Sequence, residues 1–157
     1  MKTGYGINSQ GAVALSAATA RSILGVKGNA AFGVDWLGYR IGFDGVTASA
    51  VPVLVELCYC TFATNSPGTN STSVTVDTLY GRAVASGFTA ASSWTAANEP
   101  TVVTPFDEFL LTPNGGLIVK DFPRDRTPDS AVAEGFVIRL TAPAIVNVRA
   151  SMFFERG

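Results

Sequence analysis

Histidine is absent from this 157-residue chain. That absence excludes the Ser-His-Asp and Cys-His arrangements of nucleophilic catalysis and removes the commonest side-chain ligand of transition metals. Cysteine is scarce as well: Cys58 and Cys60 are the two, separated by one tyrosine. On a strand their side chains share a face about 7 Å apart, beyond disulfide reach. They read as buried free thiols of a protein made in a reducing cytoplasm. A closed zinc site needs four ligands, and CYC without a second cysteine pair does not supply them. No basic block exists to neutralise phosphates, which argues against nucleic-acid binding. No apolar run approaches the roughly 18 residues of a membrane span, and the opening MKTGYGINSQG does not read as a secretory signal. The glycine cluster GVKGNAAFG at 25–33 lacks the GxGxxG spacing of a dinucleotide-binding turn. Catalytic residues, cofactors and metal ligands are each expected to be none.

Charge is thin too: 15% of residues are Asp, Glu, Lys or Arg, and the net charge is −1. Two readings account for this. Either a compact domain is surfaced with serine and threonine, or much of the surface is covered by neighbouring subunits.

What the chain does have is apolar alternation of period two. Leu37, Tyr39, Ile41 and Phe43 alternate with Trp36, Gly38, Arg40 and Gly42, which puts glycines on the second face, and Asp44-Gly45 then supplies turn chemistry. Val53, Val55, Leu57 and Tyr59 alternate with Leu54, Glu56, Cys58 and Cys60. Both faces are largely apolar, the mark of a central strand covered on both sides, and Pro52 fits only at its start. Phe109 and Leu111 end a strand before the turn Pro113-Asn114-Gly115-Gly116. After it Leu117, Val119 and Asp121 share one face, and Ile118, Lys120 and Phe122 the other.

In the closing stretch GFVIRLTAPAIVNVRASMFFERG, period two assigns Phe136, Ile138, Leu140, Val146, Val148, Met152 and Phe154 to the core. Pro143 marks the break of a hairpin between the two runs. The other face carries Arg139, Asn147, Arg149, Ser151 and Phe153. Residues 13–24 admit a short helix or, over 20–26, a strand. Residues 74–96 read as irregular loop with short extended pieces. About eight short strands with long connections predict an all-β fold, a β-sandwich of the Greek-key jelly-roll type, with an immunoglobulin-like sandwich as the alternative. The organisation expected is an N-terminal arm at 1–12 and a single β-sandwich domain at 13–157.

Chemistry is sparse, so the candidates are for binding. The loop PRDRTPDS at 123–130 concentrates Arg124, Asp125 and Arg126 between prolines. Planar arginine forks suit carboxylates across an interface, but a solvated loop whose charges pair locally has the same composition. Trp36, Trp94 and Phe153 are aromatics that no core position obviously claims; aromatics are enriched at interface centres, and exposed ones can stack on sugars. Asp107 and Glu108 are adjacent and point to opposite faces of a strand, so they do not form a glycosidase pair. Arg124, Asp125, Arg126, Arg149 and Phe153 are the expected protein-interface residues.

Several stretches together resemble a known family. They are VPVLVELCYCTFAT at 51–64 with the Ser/Thr/Gly loop after it, EPT at 99–101, LLTPNGGLIVKDFP at 110–123 and EGFVIRLTAPAIVNVRASMFFE at 134–155. The resemblance is to small jelly-roll virion proteins of tailed bacteriophages, the decoration or cement-type proteins on the outside of the head. It covers about two thirds of the chain, from about residue 36 onward. It implies a structural protein without catalysis, a homo-oligomer, in particular a trimer, that binds the major capsid protein and reinforces contacts between its subunits. Its place would be the capsid surface of the virion, after synthesis in the host cytoplasm. A tail or other virion component of the same fold, and a carbohydrate-binding β-sandwich module, are the alternatives.

Overall fold

The computed structural model describes residues 3–44, 51–81 and 84–157. Its strands, in chain order, are β1 (Gly4–Asn8), β2 (Val13–Leu15), β3 (Ala20–Lys27), β4 (Val34–Asp44), β5 (Val53–Thr64) and β6 (Thr72–Ser73). Then follow β7 (Asp77–Tyr80), β8 (Thr89–Ser92), β9 (Thr101–Leu111), β10 (Leu117–Asp121), β11 (Gly135–Thr141) and β12 (Val146–Arg156). Among the described residues there is no α-helix, only the 3₁₀ turn Arg124–Arg126. The strands form two antiparallel six-stranded sheets packed as a β-sandwich. Sheet I runs β10-β4-β12-β1-β7, with β2 also on β12; sheet II runs β6-β8-β3-β11-β5-β9.

The core lies between the sheets and follows the alternation in the sequence. Val146, Val148, Ala150, Met152 and Phe154 of β12 face Phe136, Ile138 and Leu140 of β11, and all are buried. Burying each large apolar side chain stabilises the fold by roughly 1.5–3 kcal/mol. Strand β5 lies between β11 and the terminal strand β9 of sheet II, with Val53, Val55 and Leu57 inward and Cys58 and Cys60 buried on the outside. That matches the doubly covered strand expected from its two apolar faces.

Three sequence expectations are corrected. The two closing runs are not a hairpin: β11 pairs with β3 and β5 in sheet II, whereas β12 pairs with β4 and β1 in sheet I. Placed in opposite sheets, both turn their apolar faces into the one core between the layers. The helix alternative for residues 13–24 gives way to β2 and β3. Tertiary pairing with β12, β11 and β8 overrides the helical preference of the alanines. Trp36 does not share a face with Gly38 and Arg40. The register shifts so that Phe153 sits opposite Gly38 and Phe154 opposite Trp36. This bulge makes Leu37 an extra residue and turns Trp36 inward beside Tyr39.

Of the stretch 1–12, Gly4–Asn8 pairs with β12 and β7 of its own chain, and Tyr5 and Ile7 are core residues. Strands β1 and β2 share one edge of β12, interrupted where the Ser9 hydroxyl accepts from the Ala150 amide at 3.3 Å. The turn read at Asp44-Gly45 runs into Gly45, outside the described residues.

Among the described residues, one buried side-chain group lacks a hydrogen-bond partner. Tyr39 is 1% exposed, and its hydroxyl makes no hydrogen bond. Burial and the nearby Asp107 carboxylate push its pKa up to about 12. An unsatisfied buried hydroxyl costs about 1–3 kcal/mol. Tyr39→Phe is therefore expected to raise the unfolding free energy by about 1 kcal/mol in urea titration; a loss of that size would show that the hydroxyl is satisfied in solution.

Candidate interaction surface

The two outer faces of the sandwich are finished differently. Outside sheet II, the end of β5 and the turn after β8 form a cover with its own small core: Phe62 of β5 and Trp94 pack on Cys58, Cys60, Ala91 and Val137. Trp94 can lie on the sheet because residue 25 is glycine; a Cβ there would stand 2.7 Å from Val137 Cγ1 and 3.0 Å from the Trp94 ring. The indole N–H donates to the Asn65 carbonyl at 2.9 Å. Polar ties close the rim. The Ser22 amide donates to both Glu99 carboxylate oxygens, at 2.8 and 3.1 Å, and the Ser22 hydroxyl donates to the same group. Burial pushes the Glu99 pKa up against the pull of those donors. Arg139 Nε donates to Glu56 Oε2 at 2.7 Å, and Arg21 Nε to the Trp94 carbonyl at 2.7 Å. The chain itself thus covers this face over β3, β8 and β11, while at the β9 edge Leu110 stays 66% exposed.

Outside sheet I there is no such cover among the described residues. The outward positions of β12 carry Arg149, Ser151 and Phe153, and those of β4 carry Gly38, Arg40 and Gly42. The β10–β4 register adds Leu117 opposite Gly42 and Val119 opposite Arg40. Leu117 is 68% exposed and Val119 55%. Phe153 is flanked by Gly38 on β4 and Gly6 on β1, and longer side chains use the room these glycines leave: a Cβ at Gly6 would stand 3.0 Å from Leu79 Cδ1 and one at Gly38 2.6 Å from Asp121 Oδ1. The Arg40 guanidinium lies 5.0 Å from the Phe153 ring centre, a cation–π contact that orients it. Arg149 Nε donates to Asp44 Oδ2 at 2.9 Å, in a pair exposed enough to contribute little stability. Between the two arginines lies a shallow concavity of about 340 Å³, lined among others by Asn8, Gln10, Gly42 and Leu117.

Arg149 and Phe153 thus come together on one open sheet face, as their alternation on β12 implied. Arg124, Asp125 and Arg126 do not join them. They form the 3₁₀ turn after β10, where Arg126 and Asp125 pair locally at 4.0 Å in full solvent. Arg124 lines a second cavity of about 430 Å³ with Asp35, Tyr80, Asp121 and Glu155. Glu155 is six residues along β12 from Arg149, or about 20 Å at strand rise. The Tyr80 hydroxyl donates to Glu155 Oε1 at 2.6 Å. That hydrogen bond, more than burial, pushes the tyrosine pKa up to about 12.

Trp36 and Trp94 are both 0% exposed, which corrects their reading as outward aromatics. Trp36 was moved inward by the bulge, and Trp94 was covered from the far side of a long insertion. Sequence reasoning missed Arg40, Leu117 and Val119 as members of the open face. The available signal was the glycine-rich second face of residues 36–42; the register that places β10 beside it is not a local property. Among the described residues no group of three or more His, Cys, Asp or Glu side chains is placed to hold a metal ion, and no helix is long and apolar enough to cross a membrane. Comparison with family models, with curated proteins and with solved structures finds no match to this chain.

Proposed function

We propose that this chain is a virion structural protein: a decoration or cement-type protein that binds the outside of a tailed-phage head and reinforces contacts between major capsid subunits, without catalysis and as a homo-oligomer, in particular a trimer. The observation that carries this reading is the contrast between the outer faces. One is covered by its own chain except at the β9 edge, where Leu110 is exposed, and the other presents Leu117, Val119 and Phe153 among glycines and two arginines. Exposed apolar side chains on a sheet floor suit contact with another protein. A scaffold of this kind stabilises a shell because its contacts exist only in the assembled state, which mass action then favours.

Within the same proposal the sandwich is a Greek-key jelly roll. Take β1, β3, β4, β5, β9, β10, β11 and β12 as its eight strands. First then pairs with eighth, second with seventh, third with sixth and fourth with fifth. Nested pairing of this kind supports a long antiparallel ribbon wrapped into two sheets. The carbohydrate-binding alternative loses the two tryptophans it leaned on, since both are buried.

The test is co-sedimentation with purified undecorated heads, with isolated tails as the parallel arm. Saturable binding to heads and none to tails is expected. Binding to tails alone would move the protein to the tail, and binding to neither would end the virion reading.

A further inference from the structure

We infer that the open face of sheet I is an interface between copies of this chain, and that it receives the open side of the next copy, between the edges of β9 and β10. The inference rests on the oligomeric reading above and names the surfaces that meet.

The open side is a second unfinished surface. Strands β9 and β10 are the terminal strands of sheets II and I, so both present unpaired backbone groups. They lie on the same side of the sandwich, because Tyr39 of β4, the neighbour of β10, stacks on Phe109 of β9 with ring centres 6.3 Å apart. Between the edges run Phe106, Phe109, Ile118 and Phe122, each packed on the core yet only partly buried. Beneath them lies the unpartnered Tyr39 hydroxyl. The open face and the open side meet along β10, whose Leu117 and Val119 align with outward positions of β4 and whose Ile118 aligns with the core residue Ile41. The two surfaces are therefore one continuous apolar strip turned around an edge.

Charge favours joining face to side rather than like to like. On the face, Arg40 is held over Phe153 and makes no ion pair among the described residues. On the side, Asp107 likewise has no ion pair there. Face on face would bring Arg40 of one copy toward Arg40 of the other, whereas the side offers Asp107 together with Lys120, whose ammonium is held over Phe122 at 5.7 Å. Face on side pairs Arg40 with Asp107 and covers both apolar surfaces in one contact. A contact between two different surfaces is heterologous and closes into a ring when the rotation permits. The face is large enough to receive the narrower side, where two sheet edges lie about 10 Å apart. Five strands span about 19 Å and strands of this length about 26 Å, on the order of 500 Å² of floor. Side chains standing on that floor bring its accessible area toward the roughly 800 Å² per partner of a standard interface.

Light scattering after size exclusion, with a dilution series, reads the contact. Wild type is expected as a closed oligomer. Arg40→Asp and Asp107→Arg are each expected to weaken association at least tenfold, and the double variant to recover most of the loss. Val119→Asp, at an exposed position that the fold tolerates, is expected to give monomer. A wild type that stays monomeric at high concentration, or an oligomer that survives Val119→Asp and both single swaps, overturns the inference. Head binding separates this from the functional proposal: monomers that bind heads would sink the copy contact alone, and oligomers that ignore heads would sink the decoration role alone.

Discussion

Trp36→Ala is expected to lower the unfolding free energy by about 4 kcal/mol, close to half the stability of an average domain. The indole is fully buried at the centre of an aromatic group, with ring centres of Phe136 at 5.1 Å, Phe122 at 5.6 Å, Tyr39 at 5.7 Å and Phe106 at 6.0 Å. These partners come from β11, the segment after β10, β4 and β9, so one side chain ties both sheets together near the open side. Its N–H is also satisfied, donating to the Gly38 carbonyl at 2.9 Å across the bulge. Truncation removes the transfer free energy of the ring and leaves a cavity that aromatic neighbours on four different segments cannot jointly collapse into. Urea titration by circular dichroism measures the change, and Trp36→Phe is expected to recover about half. A loss below about 1 kcal/mol would mean that the bulge register of β4 is wrong and that the indole lies outside, where truncation costs little.

Trp94→Ala is expected to speed chemical labelling of Cys58 and Cys60 by on the order of a hundredfold or more under native conditions. Both thiols are free, buried and covered by the Trp94 ring. Burial pushes the Cys58 pKa up to about 12 and that of Cys60 to about 11, so in the closed state almost no thiolate is present at pH 8. Labelling must wait for the cover to open. Loss of a buried tryptophan costs about 3–5 kcal/mol, and if it falls on local opening each 1.4 kcal/mol is tenfold in rate. The ties of Glu99 to Ser22 and of Arg21 to the Trp94 carbonyl remain in the variant, so sheet II should stay folded. Labelling that stays slow while the variant remains folded would show that the cover is held by those polar ties rather than by the indole.

The same thiols give a pH dependence whose sign can be worked out. Their folded pKa values lie above the unfolded ones, so the neutral thiol is the form the fold favours. Stability from this source is complete below about pH 9, where the unfolded thiols begin to ionise, and is lost as pH rises toward 11–12. Cys58→Ser removes the Cys58 share of that loss and leaves the share of Cys60.

Much of the sandwich was legible because period two is a local property. Phe136, Ile138, Leu140, Val146, Val148, Met152 and Phe154 are all buried, as their alternation required. Strand β5 reads as doubly covered from Cys58 and Cys60 opposite Val53 and Val55, and Arg149 and Phe153 could be placed outward before any pairing was known. Trp36 was misread because one extra residue in a strand inverts every later side chain, and nothing local to 34–44 marks Leu37 as that residue. Trp94 was misread because its partners are distant in sequence: Gly25 and Val137 lie 69 and 43 positions away. The PRDRTPDS loop was read from composition alone, which fits an interface and a locally paired solvated loop equally. In the structure Asp125 and Arg126 lie 4.0 Å apart in solvent, which is compatible with both.

By itself the sequence determined that the chain builds strands, which side chains on them are apolar, and that histidine chemistry is absent. Those are properties of single residues and their neighbours two positions away. Only the tertiary structure decided that β11 and β12 belong to opposite sheets, that a bulge turns Trp36 inward, and that one outer face is covered while the other is bare. Each of these depends on which distant strand satisfies a given edge. That choice rests on burying apolar faces against an opposing layer, and a free energy shared between segments far apart in the chain leaves no mark on either one alone.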